Sequence, residues 1–92
     1  MKESQIEKSL VKRVKDAGGL CYKFVSPSNP GVPDRIIITP TGRTVFVELK
    51  TEIGHLARIQ EWQISEMIKR GADVRVAKGI EQVKELVKEL FG

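Results

Sequence analysis

Residues 33–50 read PDRIIITPTGRTVFVELK, two apolar runs rich in β-branched residues on either side of Pro40-Thr41-Gly42. Such runs broken by a Pro/Gly turn predict a β-hairpin. In the first run Ile36, Ile37 and Ile38 follow Asp34 and Arg35; in the second, Val45, Phe46, Val47 and Leu49 surround Glu48. Runs this continuous predict strands covered on both faces. Charged residues within them therefore call for a reason.

Side chains alternate along a strand, so Phe46, Glu48 and Lys50 share one face and Val45, Val47 and Leu49 the other. Asp34 opens the neighbouring strand, and antiparallel pairing brings its carboxylate to the end of the hairpin that carries Glu48 and Lys50. Two carboxylates converging in a partly buried place repel unless one is protonated or a cation bridges them. Oxygen donors favour hard ions such as magnesium or manganese. With Lys50 beside a phosphate or an attacking water, the set has the composition of a phosphodiester-hydrolysing site. Against this stands the common occurrence of Glu-x-Lys as a solvated strand face with a local ion pair. The apolar setting and the third charged residue, Asp34, favour chemistry.

GVPD at 31–34, then a strand and turn, then VFVELK at 45–50 resembles the signature of the PD-(D/E)XK nuclease superfamily, and within it the VRR-NUC family. A Glu-bearing first helix, the segment LARIQEWQISEMIKRGADVRVA after the ELK, and a size like that of stand-alone phage or bacterial members extend the resemblance over nearly the whole chain. It implies an endonuclease that hydrolyses DNA with Mg2+ or Mn2+. On the matching positions, Asp34, Glu48, Glu7 and the backbone carbonyl of Leu49 would hold metal, Lys50 would orient the nucleophile or stabilise charge, and Gln60 would support the site. It also implies a preference for branched DNA such as Holliday junctions.

Helical periodicity places the more distant of these residues. From Glu3 to Ala17, Ile6, Leu10, Val11, Val14 and Ala17 recur at helical spacing, predicting an amphipathic helix. At about 100° per residue Glu7 falls within the apolar arc, away from Lys8, Lys12 and Lys15. The alternative is a carboxylate at the stripe's edge that reaches solvent or pairs with a Lys or Arg; Glu3, nearer the frayed end, suits the site less well. A second helix over about 56–70 carries Leu56, Ile59, Ile64 and Met67 as an inward stripe that also takes in Gln60 and Gln63. A buried amide needs partners, and the family resemblance, in which a glutamine just ahead of a tryptophan (here QEW) faces the active site, favours Gln60. Trp62 lies on another side of the helix, suited to packing against an element or a partner subunit.

The remaining elements are a strand over 20–25 after the Gly18-Gly19 stop, a strand over 73–77 after Gly71, and a closing helix over 80–91. The fold class is α/β, a single restriction-endonuclease-like domain over 1–92 in the order αβββαβα, with a four-stranded mixed sheet flanked by helices. The crossover from the second hairpin strand to the last strand is expected to be parallel and right-handed.

With 16 Lys and Arg against 12 Asp and Glu, the formal net charge is +4, the sign suited to a polyanion. Candidate phosphate contacts are Lys23, Ser26, Arg35, Arg43, His55 and Arg58, with the segment Ser26–Gly31 leading into Asp34. Nothing resembles a base-reading helix. A small core favours a homodimer, whose twofold axis suits a four-way junction. The single Cys21 excludes an intramolecular disulfide, and no apolar run spans a bilayer, so a cytoplasmic protein of a bacterial or phage-infected cell is expected. Two other readings are a non-cutting DNA-binding module on the same fold and a sequence-specific restriction-type nuclease.

Overall fold

In the computed structural model, which describes all 92 residues, the hairpin forms as the sequence predicts. Strands β2 (Arg35–Ile38) and β3 (Thr44–Lys50) pair antiparallel, with Ile36 opposite Phe46 and Ile37 opposite Val45. The turn between them closes through Gly42, whose φ of 88° a side chain would resist. The buried hydroxyl of Thr39 accepts a 3.0 Å hydrogen bond from the Arg43 amide, so this polar side chain is satisfied.

Around the hairpin the sheet takes the order β1-β2-β3-β4. β1 (Leu20–Lys23) runs antiparallel to β2, and β4 (Val74–Lys78) runs parallel to β3. The parallel pairing requires a crossover, supplied by helix α2 (Arg58–Lys69). Helix α1 (Glu3–Asp16) precedes the sheet and α3 (Gly79–Phe91) follows it, giving the predicted order αβββαβα. Boundaries differ from the sequence-based ones by one or two residues, since helix ends and strand ends are where pattern is weakest.

The two faces of the sheet are unequal. Ile37, Val45, Val47 and Leu49 are fully buried and form one core with Ile6, Leu10 and Val14 of α1 and Val83, Leu86 and Leu90 of α3. Each such side chain contributes about 1.5–3 kcal/mol of burial. On the other face Ile36, Ile38 and Phe46 are only half-buried. The expectation of strands covered on both faces is therefore corrected: two helices seal one side, while the single helix α2 covers only part of the other. Phe24 meets Phe46 edge-on there, ring centroids 5.4 Å apart.

The expected inward stripe of α2 is also revised. Ile64 is its buried residue, Leu56 and Met67 are half-buried, and Ile59 is 44% exposed. Ile59 lies in the first turn, where its backbone is pressed against Gly31: a Cβ on Gly31 would come within 2.8 Å of the Ile59 carbonyl oxygen. Trp62 is 57% exposed. At the sheet end away from Lys50, Asp73 accepts from Arg43 and from Arg75, each at 2.7 Å, and Arg75 reaches Glu89 at 3.0 Å.

Candidate active site

β3 presents Glu48 to the α2 side of the sheet, where the residue is 1% exposed. One oxygen, Oε2, accepts a 3.0 Å hydrogen bond from Gln60 Nε2 and lies 3.6 Å from Lys50 Nζ. The other, Oε1, is buried with no hydrogen-bond partner. A shielded acceptor without a donor is costly. Burial, and then the neighbouring Asp34 carboxylate, push the Glu48 pKa up from 4.5 to about 7, with Lys50 opposing.

Asp34 sits at the bend just before β2, so the strand opens at Arg35, one residue later than the predicted opening at Asp34. Its Oδ2 accepts a 3.2 Å hydrogen bond from the Leu49 amide, which the end of β2 leaves without a ladder partner. The N–H and C=O of one strand residue point to the same side, so the Leu49 carbonyl also leaves β3 toward Asp34. The chain arriving at Asp34 is fastened twice: the Phe24 amide donates to the Asp34 carbonyl at 2.7 Å, and Gln63 Nε2 donates to the Pro30 carbonyl at 3.2 Å.

Gln60 is bound at both ends. Its Oε1 accepts a 2.8 Å hydrogen bond from the Ala57 amide, half of a capping box at the start of α2, while its Nε2 holds Glu48. Of the two amides on the stripe, Gln60 thus faces Glu48 and Gln63 ties down the loop before Asp34. Periodicity puts Gln63 inside the stripe and nothing more; its partner, a carbonyl 33 residues away, leaves no local signal in the sequence.

Asp34, Glu48, Lys50, Gln60 and the Leu49 backbone are brought together. Glu7 is not brought into that cluster. Alternation along β2 sends Arg35, opposite Val47, to the α1 face, and Glu7 Oε2 lies 3.7 Å from Arg35 Nη2. No group of three or more His, Cys, Asp or Glu residues is arranged to hold a metal ion. The donors that converge are two carboxylates and a backbone carbonyl, an all-oxygen set that suits a hard divalent cation. The unpartnered Glu48 Oε1 beside Asp34 is the position such a cation would satisfy.

Among the candidate phosphate contacts, His55 and Arg58 are exposed at the start of α2, and Lys23 is exposed at the end of β1, directly opposite Arg35. Ser26 Oγ accepts from the Asn29 side chain at 3.0 Å within its own loop. Arg43 stands at the opposite end of β3 from Lys50, bound to Asp73. No helix of the structure is long and apolar enough to cross a membrane.

No family model matches the chain. It is similar to a phage protein named "Putative nuclease p44", from Acyrthosiphon pisum secondary endosymbiont phage 1, with 52% identity over 50 residues. That match covers 54% of each protein, so the chain spans about half the length of the curated relative it matches. A solved structure described as a "VRR_NUC domain" is 32% identical over 94% of both chains, with a TM-score of 0.87. A second, a "VRR_NUC domain protein", shares the fold at 19% identity, covering 100% of this chain and 91% of its own, with a TM-score of 0.78. With the hairpin bearing Asp34, Glu48 and Lys50 and with likeness along almost its full length, the chain belongs to the VRR-NUC family of PD-(D/E)XK nucleases.

Proposed function

We propose that the protein is a divalent-metal-dependent endodeoxyribonuclease using Mg2+ or Mn2+, selective for branched DNA such as Holliday junctions and acting as a homodimer. The observation that carries the reading is the buried Glu48 carboxyl, one oxygen unpartnered, set against Asp34 with an ammonium 3.6 Å away. A fold that sought only stability would place an apolar side chain there, because an unsatisfied buried carboxylate costs more than it contributes.

Asp34, Glu48 and the Leu49 carbonyl would hold the ion, and the chemistry it supplies is polarisation of a phosphoryl oxygen and a lowered pKa for water. Gln60 fixes the Glu48 carboxyl in one orientation. Lys50, tethered by Glu48, is placed to stabilise negative charge that develops on the phosphate. Glu7 is the third carboxylate of the reading; its participation requires that it leave Arg35. The exposed apolar side chains Leu20 and Tyr22 on the edge strand β1, and Trp62 on α2, offer surface that a second copy would cover. Twofold symmetry of such a pair matches the approximate symmetry of a four-way junction.

The test is cleavage of labelled junction, flap, linear duplex and single-stranded DNA at fixed salt, with Mg2+, with Mn2+ and with EDTA, alongside sedimentation. Metal-dependent nicking of junctions by a dimer is expected. Binding without cleavage in either metal refutes the nuclease reading, and cutting of linear duplex at one sequence, with indifference to branches, refutes the substrate.

A further inference from the structure

Along the outer flank of α1 runs an open groove of about 480 Å³, lined by Lys8, Lys12, Lys15 and Arg35 with Glu7 and Ser4. Four cations face one carboxylate. Residues 8, 12 and 15 fall on one side of a helix. Lys12 is held by Asp16 at 2.7 Å, whereas Lys8 and Lys15 pair with no carboxylate. Arg35 is 15% exposed, and its Nε is buried with no hydrogen-bond partner; its charged neighbour, Glu7, stays 3.7 Å away. Lys23 stands directly opposite Arg35 on the same face of the sheet and extends the positive surface to the edge strand.

We propose that this groove is a second phosphate-binding track, taking the backbone of a DNA strand that continues past the Asp34–Glu48 site. The connection is the Asp34–Arg35 peptide. Consecutive residues at the start of β2 send Asp34 to the cleavage side and Arg35 to the groove, so a strand crossing this end of the sheet meets both. The rise from Lys8 to Lys15 along the helix is about 10 Å, the axial length of about three phosphates of one duplex strand. Lysines and arginine without bidentate base partners recognise the backbone and not the sequence, as expected for a track that positions and does not read.

The inference rests on the nuclease reading for its ligand, and the test separates the two. Binding of a labelled DNA duplex, with and without a single-stranded arm, is measured by fluorescence anisotropy in EDTA over a range of NaCl concentrations. Lys8→Ala/Lys15→Ala is expected to flatten the slope of log K against log salt by about 1–2, since each duplex phosphate that a cation no longer neutralises lowers the slope by about 0.9. Lys84→Ala/Lys88→Ala removes the same charge from the depression between α1 and α3 and is expected to leave the slope unchanged. Both pairs are exposed, so each variant folds, as thermal melts will verify. Equal slopes for wild type and Lys8→Ala/Lys15→Ala, equal flattening by the control pair, or no DNA binding by the wild type overturns the track. A protein that cuts with metal while its slope ignores Lys8 and Lys15 loses only the track; one with the groove-dependent slope and no cleavage loses only the nuclease reading.

Discussion

Glu48→Gln should make the metal-free protein more stable while abolishing its cleavage. In the wild type the folded state holds the Glu48 proton to about pH 7, whereas the unfolded chain releases it at 4.5. Between those values the native state binds more protons than the unfolded one, so stability falls as pH rises across the window and stays low above it. At about 1.4 kcal/mol per pH unit the full gap amounts to about 3 kcal/mol. A glutamine carries no charge to desolvate. Its oxygen accepts from Gln60 as Oε2 does, and its amide nitrogen, standing in for the orphaned Oε1, gains Asp34 as an acceptor. The lost ion pair with Lys50 offsets part of this. The expected gain is about 1–3 kcal/mol at about pH 8, a rise of about 5–15 °C in Tm for a chain of this size. The assay is thermal unfolding in EDTA from pH 5 to pH 8, with wild type and variant side by side. The gain should shrink toward zero near pH 5, where the wild type is also protonated. Adding Mg2+ or Mn2+ should narrow it at high pH by raising only the wild-type Tm. A variant no more stable than wild type at high pH, or equally favoured at both ends of the range, refutes the reasoning.

Lys50→Ala should lower kcat about 10²–10³-fold, the scale for a charge-stabilising donor, with DNA binding in Ca2+ little changed; a loss confined to KM would assign Lys50 to binding alone. Gln60→Ala removes both the bond to the Ala57 amide and the bond to Glu48, and should cost about 1–2 kcal/mol in urea unfolding together with activity, whereas unchanged stability would show that the cap is dispensable. The Arg75 and Arg43 hydrogen bonds hold Asp73 below its ordinary 3.8, so the stability it contributes is complete above that pH and is lost as pH falls through the lower folded value. Asp73→Asn should therefore be less stable than wild type at neutral pH and converge with it on acidification below about pH 4; parallel curves down to about pH 2 would contradict this.

Much of the fold is legible in the sequence because its signals are local. The turn at Pro40–Gly42, the apolar periods of α1 and α3 and the Gly stops after α1 and α2 each act within a few residues. The coverage of the sheet is not, since an unbroken Ile-Ile-Ile run reads alike whether its second face meets two helices or a fraction of one. At the site, Asp34, Glu48, Lys50 and Gln60 are readable from strand alternation, the helical stripe and the family resemblance. Periodicity puts Glu7 on the correct arc of its helix, but it reports only which way a side chain points relative to its own axis. That Arg35 stands on the same side of the sheet, and takes Glu7 as its partner, depends on how α1 lies across β2. The groove beside them escapes for the same reason: Lys8, Lys12 and Lys15 have the pattern of any solvated face until Arg35 of β2 closes the groove beside them.

Gln60 has a consequence for how the protein can vary. A single amide fastens the first turn of α2 with its oxygen and clasps the buried Glu48 carboxyl with its nitrogen. Any drift of the helix's opening turn is transmitted to Glu48, and any replacement that keeps one tie surrenders the other. The crossover helix and the buried carboxyl are thus hinged on the same pin, and a lineage that reshaped this helix would have to rebuild both at once.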